Sequence, residues 1–386
     1  MNEIIILAIF NIAAFGAAAL LAYFFTFFLI NLSHRFNFLD YPVGRKIHKK
    51  PIPFLGGMGI FMSFWFVVLA GMVVVSVFGK SFVVGPSIQN IVNGMITLIP
   101  KVTGIFLGGL LINLIGLLDD KFNLSPGRKF LGQITATFIL MGLGLTINLF
   151  SQLGPIGYLI TFIWILLIIN AFNFIDSLDG HCVGVAFISS VMFFWITQIL
   201  DQPLVGLFLA TFAGALLGFF PHNFKPAKIF LGDNGSLFIG YMMAAFTLLC
   251  HYQAPHTNYV TIFIPILIFG VPIYDTISVI LVRLVRGIAP WEGDRNHFAH
   301  RLVKMGMSER VAVIFSYFIT FTIGHIAILT TQVNLFGAVL VGIIFMSVIG
   351  VIAFLEFYAA QRIRVIEKIA KKRARRGGGM DFDNEF

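Results

Sequence analysis

The stretch NAFNFIDSLD, residues 170–179, places Asn170, Asn173, Asp176 and Asp179 three apart. Carboxylate and amide oxygens are the donors that hold Mg²⁺ or Mn²⁺, and they also hydrogen-bond sugars. At 3.6 residues per turn each step of three drifts about 60°, so the four cover roughly half a helical face. A helix end needs one or two such groups as a cap, so four predict a site. Asp119 and Asp120 stand side by side at the end of another apolar run. Adjacent carboxylates repel unless a cation is near, and acidic groups at a helix C-terminus oppose its dipole. Asp233 lies in GDNGSL at 232–237, which reads as a turn followed by a helix N-cap. That helix start offers free N–H groups to a phosphate, and Asp233 itself can hold a hard cation.

Basic groups flank these acids. His297 and His300, at i and i+3, lie beside Arg295 and Arg301. Two histidines make a poor zinc site without a third ligand, whereas the four groups together suit phosphate. His48 and Lys49, in the HKKPIP stretch, are substrate candidates or else part of a basic stop-transfer segment, and Lys121 adjoins the aspartate pair. Oxygen ligands for a metal, cations for phosphate and a helix N-terminus together describe phosphoryl-type transfer between a nucleotide donor and a lipid acceptor. No GxxxxGK[ST] sequence is present, which disfavours an ATP-driven pump of that type.

The elements that position these groups belong to a membrane. The chain has 386 residues, 58% hydrophobic and only 11% charged, against about 25% charged in soluble domains. Apolar runs at about 4–30, 54–78, 101–118, 130–147, 157–172, 182–200, 204–221, 235–251, 259–282, 310–331 and 334–358 predict an all-α polytopic protein of eleven spans. The first run lacks a basic leader and is long for a signal peptide, so it reads as a retained span. Of the 26 Lys and Arg residues, 24 fall on the side that follows the odd-numbered spans. The positive-inside rule makes that side cytoplasmic, with the N-terminus outside and the C-terminus inside. The candidate site residues share that side. Residues 1–360 read as one catalytic domain, and 361–386 as a basic tail, partly disordered at its end. Such a tail suits anionic lipid, and nothing suggests a nucleic-acid partner. Two cysteines, both in or beside spans, give neither a disulfide framework nor a cysteine metal site.

In order and on alternating loops, GLLDD, NAFNFIDSLDG, PAKIFLGDNGSLFIG and DRNHFAHRL resemble the polyprenyl-phosphate N-acetylhexosamine-1-phosphate transferases. The branch resembles the bacterial undecaprenyl-phosphate N-acetylglucosamine-1-phosphate transferases, and the resemblance covers spans 1 to 10. It implies a plasma-membrane enzyme with a cytoplasmic active site. UDP-N-acetylglucosamine and undecaprenyl phosphate would give undecaprenyl-diphospho-N-acetylglucosamine and UMP, the first membrane step of a cell-surface polysaccharide. By motif, Asp233 becomes a Mg²⁺ ligand (Mn²⁺ being the alternative) with Asn173 beside the metal. Asp119 and Asp120 become catalytic groups acting on the lipid phosphate. Asp176 and Asp179 line the nucleotide-sugar site, Asn223 lies near the nucleoside, and the 294–301 motif meets donor phosphate or sugar. The family's hexosamine branch often reads H-x-H-H after Asp-Arg, but this chain has His297, Phe298, Ala299 and His300. Only His297 and His300 therefore carry over. The missing triple histidine argues against a muramoyl-pentapeptide substrate.

Two other classes stand beside this reading. A secondary transporter would show internal repeats and polar groups near the bilayer centre, whereas here the polar groups cluster at one face. A homologue that only bound lipid phosphate would have no need of intact Asp119, Asp120, Asn173 and Asp233. A different UDP-hexosamine is the alternative within the enzyme class, and assembly as a homodimer is left open.

Overall fold

A computed structural model describes residues 3–42, 50–78, 94, 97–147, 153–252, 259–289 and 296–374. His48, Lys49, Arg295 and the end of the tail lie outside the described residues. Each of the eleven apolar runs is helical. They form α1 (Glu3–Arg35), α2 (Gly56–Phe78), α3 (Ile99–Phe122), α4 (Pro126–Gly142), α5 (Pro155–Ile175), α6 (His181–Ile199), α7 (Pro203–Asn223) and α8 (Gly232–Leu249). A short 3₁₀ turn (Tyr259–Phe263) then leads into α9 (Ile264–Ile268) and α10 (Gly270–Val285). The short α11 (Phe298–Lys304), α12 (Glu309–Leu329) and the long α13 (Leu335–Ala374) complete the order.

Among the described residues, eight helices are long and apolar enough to cross a membrane. A ninth span is added if α9 and α10, bent by 65°, count as one. The other two runs expected to cross are α4 and α8. With 17 residues, α4 is short, and α8 carries Asp233 and Asn234 in its first turn. The reason for α8's lower hydropathy is its place. Every residue from Asn234 to Leu249 is buried, enclosed mainly by α2, α3 and α5. A helix that meets protein all round is selected for packing, not for lipid. At the periphery the pattern reverses: only 17% of the most apolar window of α1, and of α13, is buried. Their exposed Phe, Ile and Leu side chains are a lipid-facing surface.

Sequence explains where the helices begin and stop. Pro100, Pro126, Pro155 and Pro203 occupy first-turn positions, where a missing N–H does no harm. Asn123 ends α3 in the left-handed conformation at φ 50°, its N–H returning to the Asp119 carbonyl. Two glycines are dictated by space. Gly232 has φ +73°, and a Cβ there would stand 2.6 Å from Asp120 Oδ2 and 2.8 Å from the Phe54 carbonyl. A Cβ on Gly116 would meet the Asn234 backbone at 2.4 Å. Together they let α3 close onto the first turn of α8, which brings Asp120 within reach of its N–H groups.

The loop after α1 is tied to the same place. Leu39–Asp40 and Ile52–Pro53 form a two-residue antiparallel ladder. Phe230 N–H donates to Pro53 O at 2.8 Å, and Gly57 N–H to Leu231 O at 3.0 Å. The segment leading into α8 is thus fixed by backbone bonds before any side chain acts.

Candidate active site

The C-terminal ends of α3, α5 and α7 and the N-terminal ends of α4, α6 and α8 meet at one end of the bundle, and nearly all the candidate acids lie there. The centre is Asp233. Its carboxylate receives the Lys129 ammonium at 2.8 Å, and the same Nζ lies 3.1 Å from Asp119 Oδ2. Asn173 Nδ2 donates to Asp233 Oδ1 at 2.6 Å and to Ser236 Oγ at 2.8 Å. Asp119 Oδ1 also accepts the Leu124 N–H at 2.7 Å. Four residues from four helices therefore converge on one partly buried spot.

Asp120 does something different from its neighbour. Its oxygens accept the Asp233 N–H at 2.8 Å, the Asn234 N–H at 3.1 Å and the Asn234 side-chain amide at 2.8 Å. A carboxylate at a helix N-terminus is favoured by both dipole and hydrogen bonds. The N–H groups expected to face a phosphate are thus satisfied by Asp120, which anchors α8 to α3.

A cavity of about 630 Å³ opens beside this centre. Asp120, Asp176, Asp179, Asn223, Asp233 and His300 line it, with Asp40, Lys225 and Glu309 towards other parts of the wall. Its size is in the range of small-molecule sites. Asp176 and Asp179 reach it from the turn after α5. Burial pushes the Asp176 carboxyl well above the usual carboxylate range, and Asp233, Asp120 and Asp179 nearby add to the rise. Asp179 Oδ2 accepts the Ala227 N–H at 3.1 Å. Asn223 joins the Gly180 N–H (3.1 Å) to the Ile229 carbonyl (3.0 Å) and so ties three segments of the wall together. Asn170 lies further back, its amide paired with that of Gln133.

The basic candidates separate. Lys121 turns from the carboxylates and lies over the rings of Phe38 (4.3 Å) and Phe122 (5.7 Å). Lys129, which sequence reasoning counted only as a loop charge, takes the central position instead. His300 lines the cavity, but His297 is not among its lining residues. The His297 Nδ1 lies 2.9 Å from Asp275 Oδ2, and its ring meets the edge of Phe174. Arg301 is held by Glu356 Oε1 at 2.7 Å, Ser278 Oγ at 2.7 Å and the Asn296 carbonyl at 2.6 Å. Lys225 and Glu309 form an ion pair at the cavity wall. Ala299, where H-x-H-H has a histidine, is fully buried and packs with Leu178 and Val313. Asp275 and Glu356 were missed. The signal for Asp275 was a lone carboxylate inside the apolar run GVPIYDTISVI.

The donor set can be tested for a divalent cation. Among the described residues, Lys129 is the cation paired with Asp119 and Asp233, so these two carboxylates outnumber their ammonium. Carboxylate and amide oxygens are the ligands Mg²⁺ prefers. Asp233 and Asp119, with Asn173 beside them, fit such an ion. Among the described residues, no three His, Cys, Asp or Glu side chains are gathered as a ready metal cage. Mg²⁺ sites use one or two carboxylates and complete the shell with water and substrate phosphate.

Residues 102–251, which include Asp119, Asn173 and Asp233, match the sequence profile of glycosyl transferase family 4. Over 373 residues the chain is 30% identical to a Bacillus subtilis (strain 168) protein named "Probable undecaprenyl-phosphate N-acetylglucosaminyl 1-phosphate transferase". That match spans 95% of this chain and 97% of the relative. The chain belongs to glycosyl transferase family 4. Within the family it is also 32% identical to the decaprenyl-phosphate N-acetylglucosaminephosphotransferase of Mycolicibacterium smegmatis, over 78% of this chain and 77% of that one. A phospho-N-acetylmuramoyl-pentapeptide-transferase of Limosilactobacillus fermentum is 35% identical, but over only 44% of this chain and 54% of its own.

Proposed function

We propose that this family 4 transferase moves N-acetylglucosamine 1-phosphate from UDP-N-acetylglucosamine to undecaprenyl phosphate or a similar polyprenyl phosphate, releasing UMP. The observation that carries the reading is the convergence of Asp119, Asn173, Asp176 and Asp233 beside a cavity of about 630 Å³ at the ends of α3, α5 and α8. The near full-length likeness to a relative named for this reaction supports it.

An oxygen of the lipid phosphate forms a bond to the β-phosphorus of the donor. The bond from that phosphorus to the bridging oxygen breaks, and UMP leaves with the electron pair. A phosphomonoester with second pKa near ~6 is largely dianionic at neutral pH, so the acceptor needs no strong base. Asp233 and Asn173, with Asp119, are the residues that would hold a Mg²⁺ or Mn²⁺ ion. Such an ion, when bound, neutralises charge on the diphosphate and on the departing UMP. Lys129 holds Asp119 and Asp233 together. Asp120 fixes the first turn of α8 so that Asp233 keeps its direction. Asp176, Asp179 and Asn223 shape the donor cavity, and His300 lies on its wall.

The reading includes eleven crossings, an outer N-terminus, a cytoplasmic C-terminus and a site on the cytoplasmic face of the plasma membrane. The basic loops and the site acids share one set of helix ends, which supports it. Residues 1–360 then form the catalytic domain, with 361–386 as its basic tail. Another UDP-N-acetylhexosamine as donor is the second reading, favoured by Ala299 in place of the usual histidine.

The test is to supply purified protein with undecaprenyl phosphate, Mg²⁺ and a panel of UDP-sugars, and to weigh the lipid product. A product heavier than the acceptor by one phospho-N-acetylhexosamine, formed from UDP-N-acetylglucosamine, is expected. A product from only another donor would move the sugar assignment, and no lipid product from any donor would remove the reading.

A further inference from the structure

Asp275 is fully buried in α10, and both of its oxygens are used. Oδ2 lies 2.9 Å from His297 Nδ1, and Oδ1 accepts the N–H of Phe298, the first residue of α11. A carboxylate accepts, so Nδ1 carries the hydrogen of that contact. One side chain therefore caps α11 from outside and fixes the ring just before it. Ala299, the second residue of α11, packs with Leu178 of the cavity turn and Val313 of α12. The helix is held at Phe298 and at Ala299, and the next residue, His300, is the histidine that reaches the cavity wall.

We propose that Asp275 and His297 form a latch that positions α11, and that His300, not His297, is the member of this motif that meets the donor. His297 is 8% exposed, lies against Phe174 and Asp275, and is not among the cavity residues. Asp275 is a positioning residue, acting through α11. The proposal rests on the donor reading above, and its test separates the two.

The experiment measures the KM for UDP-N-acetylglucosamine and for undecaprenyl phosphate separately, from UMP release. The variants are Asp275→Asn, His297→Gln and His300→Ala, and each of the first two combined with the third. Asp275→Asn keeps an acceptor for the Phe298 N–H and loses only the carboxylate facing His297. The donor KM should rise about 10- to 100-fold in each single variant, as loss of an orienting partner does elsewhere. The acceptor KM should stay within about twofold. In the His300→Ala background neither latch variant should raise the donor KM further, because one contact cannot be lost twice. Additive losses in the double variants would overturn the proposal. So would lowered thermal stability with both KM values unchanged, the mark of a purely structural pair. If the wild type released no UMP, the donor reading would fail first, before any variant was compared.

Discussion

The carboxylate centre at the start of α8 and the histidine corner around α11 lie on neighbouring parts of one cavity, yet they are built differently. In the first, the functional groups are their own support. Asp119, Lys129, Asn173 and Asp233 bond directly to one another, and Asp120 anchors the helix that carries Asp233. In the second, the motif residues are held by partners that lie outside the motif and away from the cavity lining. His297 depends on Asp275, 22 residues earlier, and Arg301 on Glu356, 55 residues later. The difference suggests that chemistry belongs to the self-supporting centre and substrate positioning to the corner.

Substitutions can break that comparison. The largest effect should come from Asp233→Ala, which removes the group that both Lys129 and Asn173 address. UMP release should fall at least ~100-fold while the protein still elutes as a folded species. Asn173→Ala should cost about 10- to 100-fold, chiefly in kcat, because it releases one carboxylate oxygen of Asp233 and Ser236. Lys129→Met should lower stability by about 1–3 kcal/mol, since it leaves two partly buried carboxylates facing each other. Mg²⁺ should then raise the melting temperature of this variant more than that of the wild type. An equal Mg²⁺ shift in both would mean that ion and ammonium do not share the place. Glu356→Gln should change donor KM several-fold and leave kcat nearly alone, since Arg301 keeps Ser278 and the Asn296 carbonyl. The smallest effect should be that of Lys121→Ala. Its ammonium rests on the half-buried Phe38 ring and the exposed Phe122 ring, contacts worth about 0.5–1 kcal/mol, and turnover should stay within about twofold.

The two regions also differ in how far they could be read from the chain. Asn173, Asp176 and Asp179 were legible because a helix end and its turn convert spacing directly into direction. Asp119 and Asp233 were legible as acids at the ends of apolar runs. Lys129 was not, because a cation at the start of α4 has the same appearance as any positive-inside charge. Its role exists only once α3, α4 and α8 have met. The reading of the α8 N-terminus as a phosphate cradle missed Asp120 for the same reason. The two residues lie 113 positions apart, and Gly116 and Gly232 show why they can meet only after the helices are packed. All eleven apolar runs were found as helices, because hydropathy reports exposure to lipid. It under-reports α8, which faces protein, and α4, which is short.

On the proposed function, the junction of α3, α5 and α8 performs the transfer with a divalent ion held by Asp233. The most direct test compares UMP release by wild type and Asp233→Ala, with undecaprenyl phosphate and UDP-N-acetylglucosamine, in Mg²⁺ and again in excess chelator. Lipid-dependent release that chelator abolishes in the wild type, and that is absent from the variant in either condition, is predicted. Release by Asp233→Ala at the wild-type rate, or wild-type release indifferent to chelator, would contradict the account.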